Sequence, residues 1–166
     1  MFSDEIELYV PPRRSREHVH FLFRQLCELN PKQAKTNLAA LFNFIAQQRR
    51  SDAVVFIVSD FIDSEFEKQL KMVNKHNEVV AIRCLDHYEK KIPAVGLVHC
   101  IDSETGEELI IDVSKKNNSL INGMLKERAV QQDHLFASCV VDVIDIDDEH
   151  KMIEKLIRFF HTRAHA

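Results

Sequence analysis

No stretch of this chain constrains its fold more than Val54-Val55-Phe56-Ile57-Val58, five apolar residues in a row, four of them β-branched. A run that short and that continuous predicts a strand covered on both faces, and such strands belong to parallel sheets. A parallel sheet needs helical crossovers, and the flanking sequence supplies them. Val19, Leu22, Phe23, Leu26 and Cys27 recur at helical spacing until Asn30-Pro31 stops the pattern. Leu38, Leu41, Phe42 and Ile45 repeat it before the strand, and Phe66, Leu70 and Val73 repeat it after. Val79–Leu85 is a second apolar strand. Helix, strand, helix, strand is the order of an α/β layer.

The rhythm then changes. Val95–Ile101 and Glu108–Val113 read as two strands joined by Asp102-Ser103-Glu104-Thr105-Gly106, whose glycine suits the left-handed position of a hairpin. A helix is expected over Asn118–Phe136, a last strand over Cys139–Ile146, and a final helix opening on Asp147, Asp148 and Glu149. Those acids suit the positive end of its dipole. Glu5–Val10 reads as a short extended piece closed by Pro11-Pro12. The expectation is one α/β domain over residues 1–166 with a hairpin inserted at 95–113.

Composition narrows the function classes. With 166 residues, 45% hydrophobic and a formal net charge of −4, the chain has core-forming material and no disorder bias. No window approaches the roughly 18 consecutive apolar residues of a membrane span. The start, Met1-Phe2-Ser3-Asp4-Glu5, lacks the layout of a signal peptide. Residues 1–83 carry 12 basic and 11 acidic groups and residues 84–166 carry 10 and 15, a balance that speaks against a general nucleic-acid binder. Cys27, Cys84, Cys100 and Cys139 are far apart in apolar runs with no CxxC pair, so they read as small buried hydrophobes in a reducing cytoplasm.

Ligands of open parallel sheets collect beyond the carboxyl ends of the strands. There the first strand ends in Ser59-Asp60 and the second in Asp86, while Thr36 opens the helix before the first strand. Hydroxyl and carboxylate oxygens that leave room for water suit a hard cation such as Mg²⁺. Thr36 as a helix N-cap and Asp60 as a turn acid are the structural alternatives. Other candidates are weaker. His18 and His20 face different directions on a helix, His161 and His165 stand near the C-terminus with no third ligand, and His99 reads as a packed hairpin side chain. Arg13, Arg14 and Arg16 read as a solvated helix start, and Asp142 and Asp145, alternating with Val141, Val143, Ile144 and Ile146, as part of a half-exposed edge strand.

Several ordered elements carry a resemblance. Glu7-Leu8-Tyr9-Val10-Pro11-Pro12-Arg13-Arg14, Thr36-Asn37-Leu38-Ala39-Ala40-Leu41, Ser59-Asp60-Phe61-Ile62-Asp63, Leu85-Asp86 with Glu89, Pro93, Gly96-Leu97 and Asp102-Ser103-Glu104-Thr105-Gly106 follow in order. Together they resemble the bacterial domain-of-unknown-function proteins with a von Willebrand factor type A-like fold that are encoded beside MoxR-type AAA+ ATPases. The resemblance implies a metal-ion-dependent adhesion site in which Thr36 and Asp60, with Ser59 beside it, supply two of three loops. The first loop, an Asp-x-Ser-x-Ser motif on a central strand, is absent from this sequence. The chain therefore looks like a C-terminal part of such a protein, with Mg²⁺ held weakly. Asn37 stands where the family commonly has Asp.

Two expectations follow from the missing strand and the family. Val54–Val58 has an open side, so the chain self-associates, fills the gap with Glu5–Val10, or is marginally stable. Its function is that of a non-enzymatic, cytoplasmic protein-binding module, possessing an incomplete adhesion site and acting with a MoxR-type AAA+ ATPase in complex assembly. The alternatives are a Mg²⁺-dependent phosphate hydrolase using Asp60 and Asp86, and a metal-free structural remnant.

Overall fold

Three parallel strands run side by side in a computed structural model that describes residues 1–30, 36–48, 52–62, 65–102 and 106–164. They are β1 (Val54–Ser59), β2 (Glu78–Cys84) and β5 (Asp142–Ile146), in the order β1-β2-β5. The register sets Val55 beside Val79, Ile57 beside Ala81 and Ser59 beside Arg83, and then Arg83 beside Asp145. Helices α1 (Arg16–Glu28), α2 (Leu38–Gln47), α3 (Glu67–Asn74), α5 (Lys115–Ser138) and α6 (Glu149–Ala164) accompany the sheet. The architecture is the expected α/β, Rossmann-like layer. A separate antiparallel pair, β3 (Gly96–Ile101) and β4 (Glu108–Val113), forms the expected hairpin. Gly106 takes φ +71° near its tip, a conformation that costs glycine little.

The core lies on one face of the sheet. Side chains alternate along a strand, so Val55 and Ile57 of β1 share a face with Val79 and Ala81 of β2. Leu38 and Phe42 of α2, Phe61 and Phe66 of the loop after β1, Leu70 and Val73 of α3, and Phe136 of α5 bury against that face. Ring contacts knit the cluster: Phe61 meets Phe136 edge-on at 5.1 Å, and Phe42 stacks on Phe66 at 5.6 Å. Such pairs add about 0.5–1.5 kcal/mol each beyond area burial. On the opposite face lies α6, whose Phe160 meets the ring of Phe56 at 5.8 Å. Val80 and Ile144 are buried beneath it, whereas Val54, Phe56 and Val58 of β1 are exposed.

Local chemistry explains the element ends. Ser15 caps α1 by accepting from the His18 N–H at 3.1 Å, and Asn37 caps α2 by accepting from the Ala40 N–H at 2.9 Å. Asp148 accepts from the His150 N–H at 3.0 Å where α6 begins. Asp147 is held well below the usual carboxylate range by hydrogen bonds from Lys155 and Lys90. Asn118 and Asn122 of α5 grip the backbone of Ile92 and anchor the approach to the hairpin.

Several expectations are corrected. The apolar stripe of α1 buries nothing completely: Val19, Phe23 and Leu26 are exposed, because no described element packs over them. Only Cys139 is a buried thiol; Cys27 shares the exposure of α1, and Cys84 stands at the exposed end of β2. His99 is not packed but exposed, paired with Glu108 at 2.9 Å across the hairpin. Glu5–Val10 does not fill the open side of β1. The segment folds back on itself through a Phe2–Ile6 bridge, a Met1 amine bond to the Leu8 carbonyl (2.9 Å) and an Asn37 N–H bond to the Ser3 carbonyl (2.9 Å). A short helix α4 (His87–Lys90) was not expected, being too brief for any periodicity. Pro31, Asp63, Ser103-Glu104-Thr105 and His165 lie outside the described residues, and so do the side chains of His87, Glu89 and Glu149.

Candidate functional site at the carboxyl edge of the sheet

Beyond the end of β1 the chain makes a tight, strained turn. The Ser59 hydroxyl accepts from the Phe61 N–H (3.1 Å) and approaches Asp60 Oδ1 at 3.4 Å. Asp60 Oδ1 also accepts from the Ile62 N–H at 3.2 Å, the pattern of an Asx turn. Phe61 between them sits at φ +56°, a left-handed conformation that a bulky residue adopts only under constraint. The cost is about 1–3 kcal/mol and must be met by the surroundings. Its ring is wholly buried against Phe136 and Phe66, and its carbonyl accepts from Gln132 Nε2 at 2.7 Å. The turn thus projects Asp60 outward while its neighbour is pinned inward. Asp60 is the turn acid of the structural alternative; it does not cap α3, whose first residue follows Phe66 with no side-chain cap.

Gln132 is itself oriented from below. Its Oε1 accepts from Arg83 Nη1 at 3.1 Å. Arg83 makes a two-point pair with Asp145, Nε to Oδ1 at 2.7 Å and Nη2 to Oδ2 at 3.0 Å, and reaches Asp133 at 2.9 Å. Its side chain is only 6% exposed, and the hydrogen bond to Asp145 raises the guanidinium pKa further. A chain of bonds therefore runs from β5 through Arg83 and Gln132 to the backbone of the Asp60 turn. The reading of the sequence missed this network. Its signal was present: a charged residue inside the apolar run Val79–Leu85 must find partners if the strand is buried.

The remaining candidates are arranged differently. Thr36 is exposed immediately ahead of the Asn37 cap. The link from α2 to the loop after β1 is the stack of Phe42, in the second turn of the helix, on Phe66. Asp86 is engaged locally, its Oδ1 accepting from the Tyr88 N–H at 2.8 Å as α4 begins. Cys84 has its thiol pKa pushed up by burial and by the nearby Asp60 charge, the opposite of an activated nucleophile. Among the described residues no three His, Cys, Asp or Glu side chains converge in a metal-ligating group.

A family model described as "Protein of unknown function DUF58" matches residues 1–132. The chain belongs to the DUF58 family. Among its relatives, the uncharacterized protein Rv1480 of Mycobacterium tuberculosis is 23% identical over 159 residues, which cover 93% of this chain and 50% of that protein. The uncharacterized protein Mb1516 of Mycobacterium bovis matches to the same extent. The uncharacterized protein MAV169 of Mycobacterium avium is 24% identical over 159 residues, 93% of each chain. This DUF58 chain thus spans about half the length of the first two relatives. No solved structure matches it significantly. Among the described residues no helix is long and apolar enough to cross a membrane.

Proposed function

We propose that this DUF58 chain is a non-enzymatic protein-interaction module that holds a divalent cation weakly at Ser59 and Asp60, with Thr36 as a further oxygen donor. The observation that carries the reading is the strained turn after β1, where an exposed carboxylate stands beside a hydroxyl on a rigid, buried support. Two adjacent hard oxygens fit Mg²⁺, which keeps several waters and needs few protein ligands. When bound, the ion supplies an open coordination position for a carboxylate of the partner. Exposed apolar side chains on α1, β1 and the hairpin support the interaction half of the proposal, since surface of this kind marks contact sites. The resemblance noted for the sequence makes a MoxR-type AAA+ ATPase the proposed partner, in protein-complex assembly within the cytoplasm.

Titration calorimetry with Mg²⁺ or Mn²⁺ is the test. The expected result is weak binding heat that Asp60→Asn abolishes, the amide oxygen keeping the bond from the Ile62 N–H and with it the turn. No heat in the unsubstituted chain at millimolar metal overturns the cation half. Turnover of a generic phosphate ester that depends on both metal and Asp60 overturns the non-enzymatic half and restores the hydrolase alternative. Binding of a MoxR-type ATPase should be lost on adding chelator.

A further inference from the structure

The tether between α5 and the turn after β1 has a direction. Gln132 accepts at Oε1 from Arg83 Nη1 at 3.1 Å and donates from Nε2 to the Phe61 carbonyl at 2.7 Å. A guanidinium only donates and a carbonyl only accepts, so the side chain between them must accept at one end and donate at the other. That polarity also settles which way the amide lies. Turned over, its NH2 group would face the guanidinium and its oxygen would face the Phe61 carbonyl. Arg83 cannot adapt to such a flip, because Asp145 grips it at two points, 2.7 and 3.0 Å, and its side chain is 6% exposed.

The Phe61 carbonyl and the Ile62 N–H belong to one planar peptide unit and point away from each other across it. Gln132 holds the carbonyl end of that plane, and Asp60 Oδ1 holds the N–H end at 3.2 Å. The same Oδ1 lies 3.4 Å from the Ser59 hydroxyl. Burial of the Phe61 ring against Phe136 fixes the side chain, not the plane of the peptide that follows it. Nor does packing fill the gap: a cleft of about 80 Å³ remains between the turn and α5, lined by residues that include Ile62, Arg128 and Gln131. We propose that Gln132 is the positioning residue of the carboxyl-edge site: oriented by Arg83, it fixes the Phe61–Ile62 peptide plane and through it aims the Asp60 carboxylate beside the Ser59 hydroxyl. What the aimed oxygens hold rests on the cation reading above; the aiming itself does not. Each bond in the series polarises the next, so a donor lost at Gln132 weakens the bond on the far side of the plane.

Nuclear magnetic resonance of the metal-free chain reads the plane at the Ile62 amide hydrogen. Gln132→Leu removes both bonds of the side-chain amide, whereas Gln132→Glu keeps the oxygen that faces Arg83 and removes only the donor. The expected result is an Ile62 amide that exchanges severalfold faster in both variants, while Gln131→Leu, in the same cleft, leaves it unchanged. Unaltered Ile62 exchange in both Gln132 variants overturns the proposal. So does faster exchange in Gln132→Leu alone, which makes Gln132 only a partner of Arg83. An equal effect of Gln131→Leu overturns it as well. Should neither Gln132 variant fold, the unsubstituted chain decides: Gln132 side-chain amide hydrogens protected from exchange support the tether, and hydrogens exchanging like those of a free glutamine overturn it. Titration with Mn²⁺ separates this role from the cation reading. Binding that Gln132→Leu weakens by about tenfold supports both, and binding that it leaves intact overturns the positioning role. An unsubstituted chain that binds no Mn²⁺, with Ile62 exchange still governed by Gln132, supports the positioning role and overturns the cation reading alone.

Discussion

Arg83 is the residue on which the carboxyl edge turns. Its guanidinium is buried on the core face of β2, yet both partner acids reach solvent, Asp133 at 61% and Asp145 at 40% side-chain exposure. The pair therefore differs from a fully buried bridge: the acids can rehydrate if the arginine is removed, and the arginine cannot rehydrate if the acids are removed. Arg83→Met, which keeps most of the stem's packing, should cost about 2 kcal/mol, below the 3–5 kcal/mol of a fully buried pair. Asp145→Ala should cost more, because it removes the two-point partner and leaves the buried cation only Asp133 and Gln132. Urea unfolding of the two variants checks the order, and an Arg83→Met loss larger than that of Asp145→Ala would contradict it. The same logic bears on Gln132. Replacing it by Leu leaves the Phe61 carbonyl without this donor, and the loss should fall on the turn at Asp60 rather than on the sheet.

At the scale of elements, α2 illustrates how a local rule decides a position that the family pattern left open. Asn37 stands where an acid is common in the family that the sequence resembles, and the structure shows its side chain accepting from the Ala40 N–H. Asn and Asp both present an oxygen in that place, so either satisfies the cap. Asn37→Ala should lower stability by about 1 kcal/mol, and Asn37→Asp should be neutral or slightly stabilising through the helix dipole. Thermal melts of the two variants check this; equal losses would mean that the cap bond is not the relevant interaction. The elements themselves were largely legible in sequence because period is a strong signal. Leu38, Phe42, Phe66, Leu70 and Val73 carry helical spacing, and the core accepted them. The helical stripe of α1 carries the same spacing and was left exposed. Periodicity reports an amphipathic helix, and it cannot report whether anything covers the apolar side. The turn that supports Asp60 was hidden for a different reason. Its strain at Phe61 and its tether to Gln132 join residues 71 positions apart, and no spacing rule reaches that far.

Across the whole molecule, burial is lopsided, and stability should follow it. The buried cluster lies between α2, α3, the end of α5 and one face of β1 and β2. Helix α1 has no buried residue, and the hairpin carries Leu97, Ile101, Leu109 and Ile110 on exposed positions. Local opening costs little where few apolar contacts are lost, whereas opening the central strand breaks the entire cluster. Native-state hydrogen exchange should therefore rank the elements. Amides of β2, hydrogen-bonded on both sides and holding the buried Val79, Val80 and Ala81, should exchange only through global unfolding. Amides of α1 should exchange through local fraying, at rates insensitive to substitutions in the core. A core variant separates the two classes. Leu70→Ala should cost about 2–5 kcal/mol and accelerate exchange in β2 by the corresponding factor, leaving α1 unchanged. Were α1 to slow and accelerate in step with β2, the helix would be energetically coupled to the core, and its exposed apolar stripe would need a partner already in place within the chain.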